Sequence, residues 1–216
     1  MSEPIWSWLS EPLALDFANT VHWHGFDEVD HLDSPASVRD WLEHEPHALP
    51  DPGALDRKSH GQLLLLRDAS RRVMRALAGG EPLPVDDVNT INECARAHPT
   101  IRRVDPETLG SIIEPAAPST NVLIGFLAAT VVGLLTDPGE VARLAFCTAP
   151  NCGGLFRQSR PNQKWCHPDC GARARAEATG ATRDTGTARG TGQRWHGQRR
   201  ARDSYEHGTV TMNTGQ

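Results

Sequence analysis

Four of the chain's five cysteines fall within the 24 positions from Cys147 to Cys170. They form a C-x4-C pair, Cys147 and Cys152, and a C-x3-C pair, Cys166 and Cys170, with thirteen residues between the pairs. Two close pairs suit one tetrahedral ion, because each pair can converge on it from a single local element. In the first pair "TAPN" supplies a turn, and Gly153 and Gly154 let the backbone wrap closely around the sulfurs. In the second, i and i+4 spacing on a helix puts both thiolates on one face, with Pro168 compatible with the helix's first turn. The intervening "LFRQSRPNQKW" is expected to be a hairpin turning near Pro161 and Asn162, with Phe156 and Trp165 covering the metal. Knuckle, hairpin and helix in that order make a treble-clef-like finger. Four thiolates leave no open coordination position, so the expected cofactor is one structural Zn2+. A module this short cannot fold on apolar burial alone, and structural zinc contributes about 10 to 16 kcal/mol.

The charge divides at the same place. Residues 1–140 hold 10 Lys and Arg against 22 Asp and Glu, giving -12, and residues 141–216 hold 12 against 5, giving +7; together these make the net -5. A sign change that coincides with the cysteine cluster marks a boundary between an acidic body and a basic appendage. The opening "MSEPIWSWLSEPLALDF" meets an acidic residue at once and does not read as a secretory leader. The longest apolar run, Asn121 to Thr136, is shorter than the roughly 20 residues of a membrane helix. The expected location is therefore the cytoplasm, away from membranes, where clustered cysteines bind metal before they form disulfides.

The body reads as mainly α. "DSPASVRDWLEHE" has Ser34 as N-cap, Pro35 at the first helical position, and Val38, Trp41 and Leu42 on one stripe. Residues 62–78 set Leu63, Leu66, Val73 and Leu77 opposite Arg67, Arg71 and Arg75, and Gly79-Gly80 stops the helix. "PVDDVNTINECARAH" predicts a third helix, in which Cys94 is a small buried hydrophobe. The run from Asn121 predicts a fourth, apolar nearly all round and so central, ending at Asp137. "TIRRVDPETLGSII" between them suggests a small β-hairpin. No internal repeat, phosphate-cradling glycine loop, or nucleophile and base at a telling spacing is visible, so no enzyme is expected.

In "PLALDFANTVHWH", helical geometry would put Leu13, Phe17 and Val21 on one side and gather Asp16, Asn19 and Thr20 on another. That carboxylate, amide and hydroxyl form a candidate patch for a small polar ligand, or they cap neighbouring turns. His22 and His24 diverge on a helix and share a face in a strand, without a third metal ligand in view.

"ARLAFCTAPNCGGLF", "RQSRPNQKWC" and "CGAR" together resemble the CGNR zinc finger, and "PLALDFANT" with Trp41 and Leu42 resembles the ABATE domain that precedes it. The resemblance covers about residues 10–178. It implies a mostly helical N-terminal domain, a zinc-bound finger that contacts DNA, and a role as a stress-related transcription regulator. Ala172 stands where the motif has asparagine, so one amide contact of the closing motif is missing. The expected organisation is a helical domain over 1–140, the finger over 141–178, and a disordered Gly/Thr/Arg-rich tail over 179–216. The candidate DNA-contacting residues are Arg157, Arg160 and Lys164 on the expected hairpin and Arg175 on the helix. Arg173, three residues after Cys170, shares the thiolate face and supports the zinc site together with Trp165. The expected function is a regulator whose body senses a small ligand or protein partner while its finger binds DNA. The alternative is an interaction module whose finger binds protein or RNA.

Overall fold

A computed structural model describes residues 10–24, 27–53, 55–117 and 121–184. The element order is α1 (Leu13–Ala18), β1 (Val21–His24), β2 (Asp27–Asp30), α2 (Pro35–His44), α3 (Arg57–Gly79), α4 (Val85–Ala97), β3 (Thr100–Val104), β4 (Ser111–Pro115), α5 (Val122–Thr136), α6 (Pro138–Val141), β5 (Leu144–Phe146), β6 (Leu155–Arg157) and α7 (Pro168–Asp184). The strands pair two by two into three antiparallel hairpins, β1 with β2, β3 with β4 and β5 with β6. Among the described residues no helix is long and apolar enough to cross a membrane.

The helix boundaries follow local chemistry. Ser34 accepts a hydrogen bond from Ser37 N at 3.1 Å, capping α2 with Pro35 at its first position. Asp56 caps α3 by accepting from Ser59 N, and Gly80 closes it in the left-handed region at φ 66°. The helix therefore begins five residues before the expected start at Gln62, because Gly61 lies inside it and the cap lies upstream. Asn121 caps α5 through Ile124 N, and Asp137 ends α5 while capping the short α6.

Helix α5 is the centre of the core: Leu123, Ile124, Leu127, Ala128 and Val131 are all buried. It approaches the end of α4 so closely that a Cβ on Gly125 would lie 1.9 Å from the His98 carbonyl oxygen. The Phe17 ring of α1 lies 5.9 Å from that of Trp41 in α2, tilted by 32°. Cys94 packs partly buried against this core, and burial pushes its thiol pKa up.

Two features depart from the expected layout. The arginines of α3 do not simply face water. Arg67 is buried and grips both carboxylate oxygens of Asp30 at 2.5 and 3.1 Å. Arg71 donates to the Val21 carbonyl, and Arg75 to that of Gly153 at 2.9 Å. The stripe thus holds down the β1–β2 hairpin and the chain just after the second zinc-site cysteine, Cys152. Second, the β5–β6 hairpin belongs to the body as much as to the finger. Leu144 and Leu155 are buried in one core with Leu13, Phe17 and Leu127, each buried leucine contributing about 1.5 to 3 kcal/mol. Helix α7 runs on through Asp184, six residues past the expected boundary at 178, and the rest of the expected disordered tail lies outside the described residues.

Candidate functional site

The finger is assembled from three pieces. Strands β5 and β6 flank the first cysteine pair, with Phe146 opposite Leu155 and Cys147 N donating to Gly154 O at 2.8 Å. Residues Asn151 and Gly153 adopt positive φ there, which lets the loop curl back over its own sulfurs. The β-hairpin thus lies around the first pair and not, as expected, over "LFRQSRPNQKW". The segment after β6 is an irregular loop braced by Gln163. Its Oε1 accepts from Ser159 N at 2.9 Å and Ser159 Oγ at 3.0 Å, and its Nε2 donates to Trp165 O at 3.0 Å. Asn162 turns this loop at φ 64°. Those side-chain bonds take the place of a strand ladder, so the turn expected near Pro161 and Asn162 forms without paired strands on either side of it.

Helix α7 then delivers Cys170, whereas Cys166 lies two residues before its start at Pro168, so the second pair does not sit on one helix face as its spacing suggests. Cys170 sits in its first turn, where the unpaired N–H groups and the helix dipole favour a thiolate. Cys152 Sγ lies 3.5 Å from Cys166 Sγ and 3.7 Å from Cys170 Sγ, and Cys166 lies 3.5 Å from Cys170. With Cys147 they form one group whose sulfurs all lie within 4.8 Å of one another. These separations far exceed a disulfide bond of about 2.05 Å. They match the edges of about 3.8 Å in a tetrahedron with Zn–S bonds of about 2.3 Å. All four thiols are free. Hydrogen bonds from Cys152, Cys166 and Cys170 drive the Cys147 thiol far below its usual pKa, while Cys147 foremost drives that of Cys166 far above. Without a cation the four sulfurs cannot all be ionised, and a divalent ion resolves that conflict. Phe156, fully buried, packs with Cys147, Ala149 and Cys170, and Trp165 closes the cluster from its edge.

Around this centre the predicted cations part company. Arg173 Nη2 donates to Cys170 Sγ at 3.0 Å. Arg157 pairs with Glu140 at 3.0 Å while its backbone N–H donates to Glu11 Oε2 at 2.9 Å, so its guanidinium is tied to the body. Arg160 and Lys164 are exposed on the loop. Arg175 lies over the Trp165 ring, 5.8 Å from its centroid, in a cation–π arrangement. Arg160, Lys164, Trp165, Gly171 and Arg175 line one open cleft of 470 Å³. Gly171 makes room for it: a Cβ there would lie 2.9 Å from Trp165 Cε3. Ala172 is exposed on α7, so the missing asparagine amide is lost from the surface and not from the zinc core.

The expected patch of Asp16, Asn19 and Thr20 is dispersed, because α1 ends at Ala18 and the chain turns into β1. Asn19 Nδ2 donates to Leu155 O at 2.8 Å and its Oδ1 accepts from Leu155 N at 2.9 Å, clamping β6 to the body. Thr20 donates to Phe17 O at 2.8 Å. Asp16 instead lies beside Glu45 and His47. Of the histidines weighed with this patch, His22 stacks on His31 with ring centroids 4.9 Å apart. Sequence reasoning did not single out Glu11, Glu45, His47 or Gln163, whose partners are distant in the chain or locked in loop geometry. The one signal at hand was "LEHEPH", an acid-rich helix end next to histidine.

Two family models match the sequence. One, ABATE, described as "Putative stress-induced transcription regulator", spans residues 11–138; the other, the CGNR zinc finger, spans residues 143–183. No curated protein matches the sequence. With the sulfur geometry, the second match makes Cys147, Cys152, Cys166 and Cys170 the ligands of one structural zinc.

Proposed function

The chain belongs to the ABATE family, whose model covers more than half of it, and on that premise we propose that it is a transcription regulator whose CGNR finger binds DNA and whose helical body senses a ligand. The observation that carries this reading is the cleft beside the zinc centre, lined by Arg160, Lys164 and Arg175 with Trp165 at its wall. Three cations on one rigid, metal-held face suit phosphate contact, and an aromatic wall suits a sugar or base edge. The net +7 of residues 141–216 supports it by raising the local concentration of a polyanion. Fixed contacts from Asn19 at the end of α1 to Leu155 of β6, and from Arg75 of α3 to Gly153 just before that strand, give a change in the body a route to the finger. The families matched are regulatory and zinc-finger in kind, and such a regulator acts in the cytoplasm, where its thiols stay reduced.

The test is titration of the zinc-loaded full chain against duplex DNA at several salt concentrations. Binding that weakens steeply with salt, with a slope reduced by about one in each of Arg160→Ala, Lys164→Ala and Arg175→Ala, supports it. No retention on duplex DNA, with salt-sensitive retention on single-stranded RNA or a DNA-independent protein partner, supports the interaction-module reading instead.

A further inference from the structure

Asp16, in α1, is fully buried, and Glu45, which caps the end of α2, has a side chain shielded completely from solvent. His47, two residues beyond Glu45, stands at the surface with 41% of its side chain exposed. Each of the three offers a ligand atom within 4.8 Å of the other two. Asp16 Oδ1 accepts from Glu11 N at 3.2 Å and Ser10 N at 3.5 Å, while its Oδ2 is buried without a hydrogen-bond partner. Glu45 Oε1 meets His47 Nδ1 at 2.6 Å, while its Oε2 is likewise buried and unpartnered. Among the described residues no lysine or arginine bonds to either carboxylate. Two shielded carboxylates with idle oxygens thus share one group whose single candidate for a positive partner is the His47 imidazole, and a buried carboxylate left ionised without compensation costs several kcal/mol.

We propose that Asp16, Glu45 and His47 bind a divalent first-row transition-metal ion, separate from the zinc of the finger. Two carboxylate oxygens and one imidazole nitrogen make a hard-to-borderline donor set, suited to Mn2+, Fe2+ or Zn2+ and unsuited to soft Cu(I). The exposed imidazole gives the ion a way in and leaves positions for water. Burial, and then the nearby Glu45, push the Asp16 carboxyl up to about 8, the strain that a bound cation relieves.

The site names the ligand class of the sensing role proposed above and rests on that reading for its consequence, though not for its binding. Asp16 Oδ1 holds the Glu11 N–H, and the Glu11 carboxylate holds Arg157 N of β6. Asn19, three residues after Asp16, clamps the next-but-one residue of that strand, Leu155. An ion at Asp16 therefore pulls on both polar ties between α1 and the finger.

The experiment is titration of Mn2+ into the full chain with its zinc retained, following free Mn2+ by electron paramagnetic resonance, since manganese does not displace zinc from four thiolates. One Mn2+ per chain is expected, weakened tenfold or more in His47→Ala and in Asp16→Asn. Undiminished free Mn2+ signal with the wild-type chain, or equal retention in His47→Ala, overturns the proposal. His47 is exposed, so that variant keeps the test open if Asp16→Asn fails to fold. The assay contains no DNA, so failure of the metal site and failure of DNA binding are read separately.

Discussion

The side-chain amide of Asn19 completes a ring of two hydrogen bonds with the backbone of Leu155, donating at 2.8 Å and accepting at 2.9 Å. An amide is the one side-chain group of this length that presents a donor and an acceptor side by side, so it mimics a neighbouring strand. Asn19→Ala leaves a buried N–H and a buried C=O unpaired. The expected loss is about 2 to 6 kcal/mol, at about 1 to 3 per group for two groups, measured by urea unfolding. Asn19→Asp should cost at least as much, because its second oxygen faces the Leu155 carbonyl. A loss under 0.5 kcal/mol in both would show that the clamp is redundant.

Zinc removal should divide the chain unevenly. Leu144 and Leu155 are anchored in the body core, whereas Cys166 and, on α7, Cys170 are joined to the first cysteine pair through the ion. A chelator is expected to melt α7 and free the 158–165 loop while α2 to α5 keep their circular dichroism. Cys166→Ser with Cys170→Ser should abolish the one zinc per chain found by elemental analysis. Cooperative loss of the whole helical signal on chelation would contradict this division.

Arg157 and Arg175 should respond differently to truncation. The first is paired to Glu140 and half-covered by the body; the second lies exposed on α7 over Trp165. Arg157→Ala is expected to lower stability by about 1 kcal/mol with the salt slope of DNA binding unchanged. Arg175→Ala should reduce that slope by about one with stability nearly unchanged. Equal slopes in the two variants would remove the distinction.

Gly125→Ala is expected to cost 3 kcal/mol or more, on the order of the largest single-site effects. The added methyl would meet the His98 carbonyl at 1.9 Å, and both partners are backbone-fixed. Thermal unfolding of Gly125→Ala beside Gly133→Ala, where nothing lies within 4 Å, checks it. Similar melting temperatures would mean that α5 can shift.

Acidification should act through His98. Burial, and then Lys58, hold its imidazole below the usual 6.5, and its Nδ1 accepts from Asn121 N at 3.1 Å only while unprotonated. The unfolded chain takes up this proton near pH 6.5 and the folded chain only at lower pH. Between the two the unfolded state binds more protons, so stability falls as pH drops through 6.5. His98→Gln should remove that part of the dependence in urea titrations between pH 7.5 and pH 5 (roughly the window set by the usual histidine value). An unchanged pH profile in the variant would assign the effect to another group.

Much of this fold was written locally. Ser34 with Pro35, Gly80 and Asn121 mark helix ends through groups within three residues of themselves, and the four cysteines announce a metal through spacing alone. What stayed hidden depends on partners far along the chain. Arg67 looks like a solvent-facing position until Asp30 is folded against it. Asn19 looks like part of a ligand patch until Leu155 arrives, and Asp16 gains its companions only when the end of α2 comes alongside. The β5–β6 hairpin was missed for a different reason: its three-residue strands carry too little alternation to stand out from the cysteine loop they enclose.

The tie between α1 and β6 spans 136 residues of sequence. During synthesis the apolar face of α1, with Leu13, Leu15 and Phe17, emerges long before Leu144 and Leu155 exist to cover it. Closing so distant a contact is slow compared with forming the helices between. A nascent chain halted before residue 157 would keep part of that face open, the state in which aggregation and chaperone capture begin. The last cysteines to leave the ribosome, Cys166 and Cys170, follow within thirteen residues of Arg157, so the full metal site and the partner strand of that seam become available almost together.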